Sequence, residues 1–404
     1  MRDNPYRPGA AHAPPHLAGR DDERRVFSRL LGQTPVLENL VLTGVRGIGK
    51  TVLMREALRK SAAENNWIWV GSDISEAVSV SENRLAERLL TDLNTFSGDW
   101  EYAADERQPP GFTGTPERRT ITFDYRAMMA LFEREPGLTA DKLKRVLLIA
   151  WELMQRHRPD KKGIIFAWDE AQNLSDRSTD KEYPLGVLLD VFSSLQSRGV
   201  PFMLVLVGLP TLFPKLVESR TYAERMFRVV TLKNLGREEA SEAITKPLGN
   251  APAYIQNAFD ELNELIYKMS HGYPYFIQFW CRELYDYLIG INSTAGQDKD
   301  IINRITRKLD LDFFEGRWAR LTDRQRDLLT VIARLENSAA EFTVQEIVAC
   351  AKTHNQNFSS SHVNQMLNTL FNKGMVFKSR HGKYVLAVPL LDEYIRRRME
   401  EGTQ

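Results

Sequence analysis

The residues best spaced for chemistry are Gly44-Val45-Arg46-Gly47-Ile48-Gly49-Lys50-Thr51. They fit G-x-x-x-x-G-K-[ST], a spacing suited to a polyphosphate. Glycines let the backbone wrap an anion closely, so that successive N–H groups point inward. A helix starting there adds its positive N-terminal end. In this pattern residues 44 to 52, from Gly44 through Val52, line the phosphates. Lys50 reaches the β and γ phosphates of a nucleoside triphosphate, and the Thr51 hydroxyl ligates Mg2+.

A second signal is Ile164-Ile165-Phe166-Ala167-Trp168 followed by Asp169-Glu170. An apolar strand that ends in two acids says little alone. Beside a phosphate loop it occupies the Walker B position, where Asp169 holds Mg2+, usually through water, and Glu170 polarises the water that attacks the γ-phosphate. Phosphoryl transfer also needs positive charge on the transition state, often from an arginine finger. Arg220, Arg225 and Arg228 are the candidates, with Arg225 best placed, and a finger offered to a neighbouring copy predicts a homo-oligomer. The Asn-Lys-x-Asp base reader of switch GTPases and the Leu-Ser-Gly-Gly signature of ABC ATPases are both missing. Asp169-Glu170-Ala171-Gln172 echoes a helicase box, but no later arginine-rich helicase motif follows it. The seven histidines have no metal-ligand spacing.

These residues need elements to hold them. Short β-type runs at 40–43, 67–70, 164–168 and 202–207 alternate with helical spacing at 21–31, 51–60, 82–93, 143–154 and 185–197. That alternation predicts a parallel sheet with helices on both faces. Residues 96–120, with Pro109-Pro110-Gly111 and Gly114-Thr115-Pro116, predict an irregular insertion. Beyond about residue 235 only helical spacing remains, as in Ile255, Phe259, Leu262 and Ile266. From Leu321 two capping boxes, Thr322-x-x-Gln325 and Thr343-x-x-Glu346, open helices. A third helix over 359–372 precedes two strands, 375–378 and 383–388, joined at His381-Gly382. Three helices and a hairpin predict a winged helix-turn-helix.

In such a domain the third helix enters the major groove and the wing touches backbone. Ser361, His362, Asn364, Gln365 and Asn368 are the base-edge candidates, since Asn and Gln suit adenine. Lys378, Arg380, His381 and Lys383 are the phosphate candidates, and Arg396-Arg397-Arg398 adds charge. Val363, Met366, Leu367 and Leu370 face the core. With 54 Lys plus Arg against 53 Asp plus Glu, the chain is no uniformly basic coat, so DNA contact must come from one local face. The densest apolar run, residues 202–207, is far short of the roughly 20 residues a bilayer needs. Two cysteines and an N-terminus without an apolar core point to a reducing, cytoplasmic setting with no membrane.

The ordered set of markers resembles an AAA+ ATPase of the bacterial clade related to origin-recognition and STAND-type ATPases. It runs from Gly19-Arg20-Asp21-Asp22-Glu23 through the phosphate loop, Asp169-Glu170, Val207-Gly208-Leu209-Pro210 and Ala223-Glu224-Arg225-Met226-Phe227 to Gly272-Tyr273-Pro274-Tyr275. The resemblance implies that Arg20 and Pro274 also contact nucleotide. It implies an extended arm over 1–18, an α/β P-loop core over 19–235, an all-α lid over 236–312 and a winged helix-turn-helix over 313–404. The chain departs from the family where β-strand 202–207 runs into Gly208-Leu209-Pro210 instead of a polar sensor, with Thr211 nearest. It departs again at Tyr273-Pro274, where many relatives carry an arginine. The implied activity is ATP binding and slow, Mg2+-dependent ATP hydrolysis that couples nucleotide state to oligomerisation and DNA binding. The alternative is a regulatory or signalling ATPase, as in a mobile-element or phage-defence system, whose winged helix binds an effector protein.

Overall fold

A computed structural model describes residues 3–9, 12–105, 118–291, 299–380 and 382–401. The chain divides into two compact units. One holds residues 20–43 and 50–231; the other holds 1–19, 44–49 and 232–404. The strands are β1 (Asn39–Thr43), β2 (Trp67–Val70), β3 (Glu101–Asp105), β4 (Arg118–Thr122), β5 (Gly163–Trp168), β6 (Phe202–Gly208), β7 (Phe227–Thr231), β8 (Val376–Arg380) and β9 (Lys383–Leu386).

In the first unit five strands form a parallel sheet in the order β2-β5-β6-β1-β7. Every residue of β1, β5 and β6 is buried, as expected of strands covered on both faces. The helices Glu82–Ser97, Thr139–His157 and Pro184–Ser197 supply much of that cover through Leu85, Leu89, Val146, Leu147, Leu188 and Phe192. Buried Asn39 locks the register at the start of β1. Its Oδ1 accepts from Leu204 N at 2.7 Å and from Gln196 Nε2 at 2.8 Å, and its Nδ2 donates to the Met226 carbonyl at 3.2 Å.

Four of the five sheet strands follow the expected runs; β7 does not. Phe227-Arg228-Val229-Val230-Thr231 is an edge strand with Arg228 and Thr231 exposed. A strand with one covered edge lacks the continuous apolar run of its neighbours. The expectation of an irregular 96–120 insertion is corrected in part. The helix continues to Ser97, and β3 pairs antiparallel with β4 from Glu101↔Thr122 to Asp105↔Arg118. Two buried aromatics anchor the hairpin base, where Phe123 N donates to the Trp100 carbonyl at 2.7 Å. Pro109-Pro110-Gly111 and Gly114-Thr115-Pro116 lie outside the described residues.

In the second unit the helices Arg237–Thr245, Ala253–Ser270, Pro274–Ile291 and Lys299–Leu309 come first. Asp323–Ala333, Val344–Thr353, Ser360–Asn372, the β8–β9 hairpin and Leu391–Glu401 follow. Both expected capping boxes are present, Thr322 with Gln325 and Thr343 with Glu346. Three of these helices, Asp323–Ala333, Val344–Thr353 and Ser360–Asn372, precede the hairpin, in the order the sequence predicts. The described part of the N-terminal arm has no regular element up to Arg20, yet it is anchored. Tyr6 is buried, stacks on Phe259 with ring centroids 5.5 Å apart, and donates its hydroxyl to the Ile244 carbonyl. Among the described residues no helix is long and apolar enough to cross a membrane.

Candidate functional site

Residues 118 positions apart meet where β1 and β5 end. Thr51 Oγ1 donates to Asp169 Oδ2 at 2.5 Å. Thr51 stands in the first turn of a helix over 50–64, whose segment Leu53–Leu58 is π-helical. Asp169 directly follows β5, and its other oxygen, Oδ1, accepts the Glu170 N–H at 2.8 Å. Asp169 is held at both main-chain groups, with its N–H donating to Ser72 O at 3.3 Å and its carbonyl accepting Ile74 N at 2.9 Å. Lys50 is buried beside this pair. Burial pushes the Asp169 carboxyl above the ordinary carboxylate range, and the Glu170 charge adds to the rise; the Thr51 hydroxyl, the Glu170 N–H and the Lys50 charge oppose it.

A carboxylate whose charge is costly in its setting, hydrogen-bonded to a hydroxyl, is a donor set that fits a hard divalent cation. Mg2+ keeps several waters and takes its remaining ligands from one or two protein oxygens and substrate phosphates. Thr51 Oγ1 and Asp169 supply that number of protein oxygens.

Glu170 is exposed and has φ 53°, in the left-handed region that non-glycine residues seldom enter. The twist turns its side chain back over the turn Ala171–Asn173, where Gln172 Nε2 donates to Glu170 Oε2. Sequence reasoning singled out Glu170 but gave Gln172 no role. The only signal was its place two residues after the acids.

In the glycine loop, Gly47 and Gly49 have φ of 79° and 96°, conformations that require glycine. A Cβ on Gly47 would also lie 3.0 Å from Cζ of Tyr273, whose hydroxyl donates to the Arg46 carbonyl. Ile48 is buried, Val45, Gly49 and Val52 are half-buried, and the Arg46 side chain is exposed. Pro274 opens the helix Pro274–Ile291, just after Gly272 at φ 68°. Arg20 is buried at φ 78°, ahead of the helix Asp21–Leu31, with Nη1 3.5 Å from Glu23. Thr211 sits one residue before the helix Leu212–Ser219 and is half-buried.

The three arginines part company. Arg220 forms a two-pronged ion pair with Asp190, Nε to Oδ1 at 3.0 Å and Nη2 to Oδ2 at 2.8 Å, and Tyr222 donates to the same carboxylate at 2.6 Å. This partnership holds the Asp190 carboxyl below its ordinary range, although its partial burial acts the other way. Arg220 is thereby removed from the finger candidates. Arg225, on the short helix Ala223–Met226, and Arg228, on β7, are exposed, and neither side chain has a hydrogen bond or ion pair among the described residues.

On the helix Ser360–Asn372, Val363, Met366, Leu367 and Leu370 are buried, while Ser361, Asn364, Gln365 and Asn368 are exposed on the opposite side. His362 is half-buried, its ring 5.9 Å from that of Phe358, and the Asn364 amide donates to Ser360 O of its own helix at 3.0 Å. On the β8–β9 hairpin Lys378 is exposed and Lys383 half-buried. Arg380 is paired, its Nε and Nη2 donating to Glu341 Oε2 at 2.9 and 2.6 Å. His381 lies outside the described residues. Arg396, Arg397 and Arg398, expected to add charge, each have a partner. Arg396 donates to the Ala333 carbonyl at 2.9 Å, Arg397 pairs with Asp310 at 2.5 Å and Arg398 with Glu315 at 2.6 Å. A helix with three successive arginines necessarily turns some of them onto its neighbours, and here acids and a carbonyl meet them.

Residues 16–206 match the family model described as an AAA ATPase domain. Residues 311–395 match one described as a domain of unknown function, DUF8462. The solved structure of the ORC2 protein of Aeropyrum pernix in its ADP form is 14% identical, with a TM-score of 0.52, covering 97% of this chain and 97% of that one. The A. pernix ORC1 protein in complex with DNA is 14% identical at a TM-score of 0.47, covering 99% of this chain and 98% of that one. No curated protein matches the sequence. At 14% identity the likeness to the ORC2 structure is one of fold, a P-loop fold in keeping with the family model matched over residues 16–206.

Proposed function

With an AAA ATPase domain over residues 16–206 as premise, we propose that the chain is an ATP-binding and slowly ATP-hydrolysing switch. The carrying observation is the 2.5 Å contact between Thr51 and Asp169. It brings the hydroxyl after the glycine loop to the acid that ends β5, and few structural needs other than a metal-bound phosphate call for that pairing. The similar ORC2 structure, in its ADP form, supports a nucleotide as the occupant.

The division of labour follows from chemistry. The amides of residues 44–51 and the Lys50 ammonium bind the phosphates. Thr51 and Asp169 would hold Mg2+, which when bound neutralises phosphate charge. Glu170 accepts a proton from the attacking water, and Arg225 of a second copy approaches the γ-phosphate. Nucleotide state then governs assembly. The divisions 19–235, 236–312 and 313–404 are the core, lid and winged helix of this reading.

Full-length protein tests the reading through nucleotide binding and phosphate release. Lys50→Ala should abolish binding. Glu170→Gln should keep binding and lose roughly 100-fold or more in turnover, the scale of a general base. A Glu170→Gln protein that turns over like the parent would refute the base assignment.

For the C-terminal domain we infer DNA contact through Ser361, Asn364, Gln365 and Asn368, with His362 at their edge and Lys378, Arg380 and Lys383 on phosphates. One observation favours the second reading, docking of an effector protein: Arg380 is already paired with Glu341, and Arg396–Arg398 are turned to internal partners.

A further inference from the structure

Two residues beyond Glu170, Gln172 is only 9% exposed and makes contacts at both ends of its side-chain amide. Oε1 accepts the Leu209 N–H at 3.0 Å, at the C-terminal end of β6. Because that partner is a main-chain donor, the amide's oxygen must face it, and the NH2 group must face Glu170. Nε2 then donates to Glu170 Oε2.

The surroundings are shaped for this amide. A Cβ on Gly208 would lie 2.6 Å from Gln172 Oε1, so the absence of a side chain at the end of β6 is what admits it. The main chain of the turn is fixed as well. Lys215 Nζ donates to the Gln172 carbonyl at 2.7 Å, Asn173 Nδ2 donates to Ile74 O at 2.8 Å, and Ser79 Oγ donates to Asn173 O at 2.8 Å. A buried side chain on a pinned turn, with its oxygen committed to a strand end, has little freedom in where it presents its donor.

We propose that Gln172 is the positioning residue for Glu170, tying that carboxylate to the main chain at the end of β6. The exposed, left-handed Glu170 would otherwise sample several directions. Gln172 restricts it to one, and it couples that direction to the β6 terminus. The polar group that the family resemblance implies at the end of β6 is supplied instead from the β5 side, and Gly208 leaves the space it occupies.

The proposal rests on Glu170 being the base, and the test separates the two. Mg2+-ATP cleavage is measured on the full chain, by single turnover and as kcat and KM. Gln172→Met keeps length and removes both hydrogen bonds. Gly208→Ala leaves Gln172 in place and displaces its amide, so it reports even if Gln172→Met fails to fold. Gln172→Glu sets a second carboxylate against Glu170. All three should lower kcat by roughly tenfold, a fraction of the effect of the base itself, with KM unchanged within about twofold. In a Glu170→Gln background, Gln172→Met should cost nothing further, because both act through one carboxylate. Parental kcat in Gln172→Met and Gly208→Ala, a loss confined to KM, or a full additional loss in the double variant would each overturn it. Parental cleavage by Glu170→Gln alone would remove the premise instead.

Discussion

The arginines show how a residue's partners decide its role. Arg220, Arg225 and Arg228 are close in sequence and alike in charge. Arg220 spends both prongs on Asp190, and Gly186 leaves room for its guanidinium, since a Cβ there would lie 2.6 Å from Nη2. The Arg225 side chain has no hydrogen bond or ion pair among the described residues. The two should therefore fail differently. Arg220→Ala should lower stability by about 1 kcal/mol, the upper end for a partly exposed pair, read as a shift in the denaturant midpoint. Arg225→Ala should leave the midpoint unchanged and lower ATP turnover, most at protein concentrations where copies associate. A stability loss in Arg225→Ala would mean that its exposed place is structural after all. The same reasoning explains why Arg220 could not be set aside from sequence: Asp190, its partner, lies 30 residues back on another helix.

At the scale of elements, the β8–β9 hairpin is where charge counting and geometry diverge. Sequence offers it a cluster of cations, but Glu341 takes Arg380, and the Arg380 guanidinium holds the Glu341 carboxyl below its ordinary range. Lys378 is exposed and has no such partner among the described residues, and Lys383 is half-buried. If the domain binds duplex DNA, the salt dependence should match roughly two to three phosphates, not six or more, since the log–log slope is about −0.9 per phosphate neutralised. Lys378→Glu should weaken binding and flatten that slope. An unchanged affinity and slope would favour the effector-docking reading. The elements themselves were largely legible in sequence. Buried strands such as β5 and β6 are continuous apolar runs, and Thr322 and Thr343 announce their helices through capping boxes. The edge strand β7 and the β3–β4 hairpin were not. Their stability comes from pairing with β1, and from Trp100 and Phe123 at the hairpin base, contacts made far along the chain. At the site, Thr51 and Asp169 were legible because each ends a motif of fixed spacing. Gln172 was not, because its meaning depends on Leu209 and Gly208.

At the scale of the whole molecule, one chain carries both the glycine loop proposed to hold phosphates and, in Arg225, an arginine whose side chain has no hydrogen bond or ion pair among the described residues. A single copy cannot show whether these complete each other, but a mixture of defective copies can. On the proposed reading Lys50→Ala should remove the phosphate grip and retain Arg225, and Arg225→Ala should do the reverse. If the finger acts between copies in a head-to-tail arrangement, random mixing at equal amounts should pair an intact loop with an intact finger at about a quarter of the interfaces, since each half of a heterologous contact comes from a different copy. ATP turnover should then recover to about that fraction of the parent, although either variant alone is nearly silent. If Arg225 served the loop of its own copy, mixing would restore nothing. Light scattering on the same mixture separates the remaining case, in which the variants fail to associate. The recovery should also vanish on dilution, in step with dissociation, because it depends on contact between copies, whereas a defect within each copy would be indifferent to concentration.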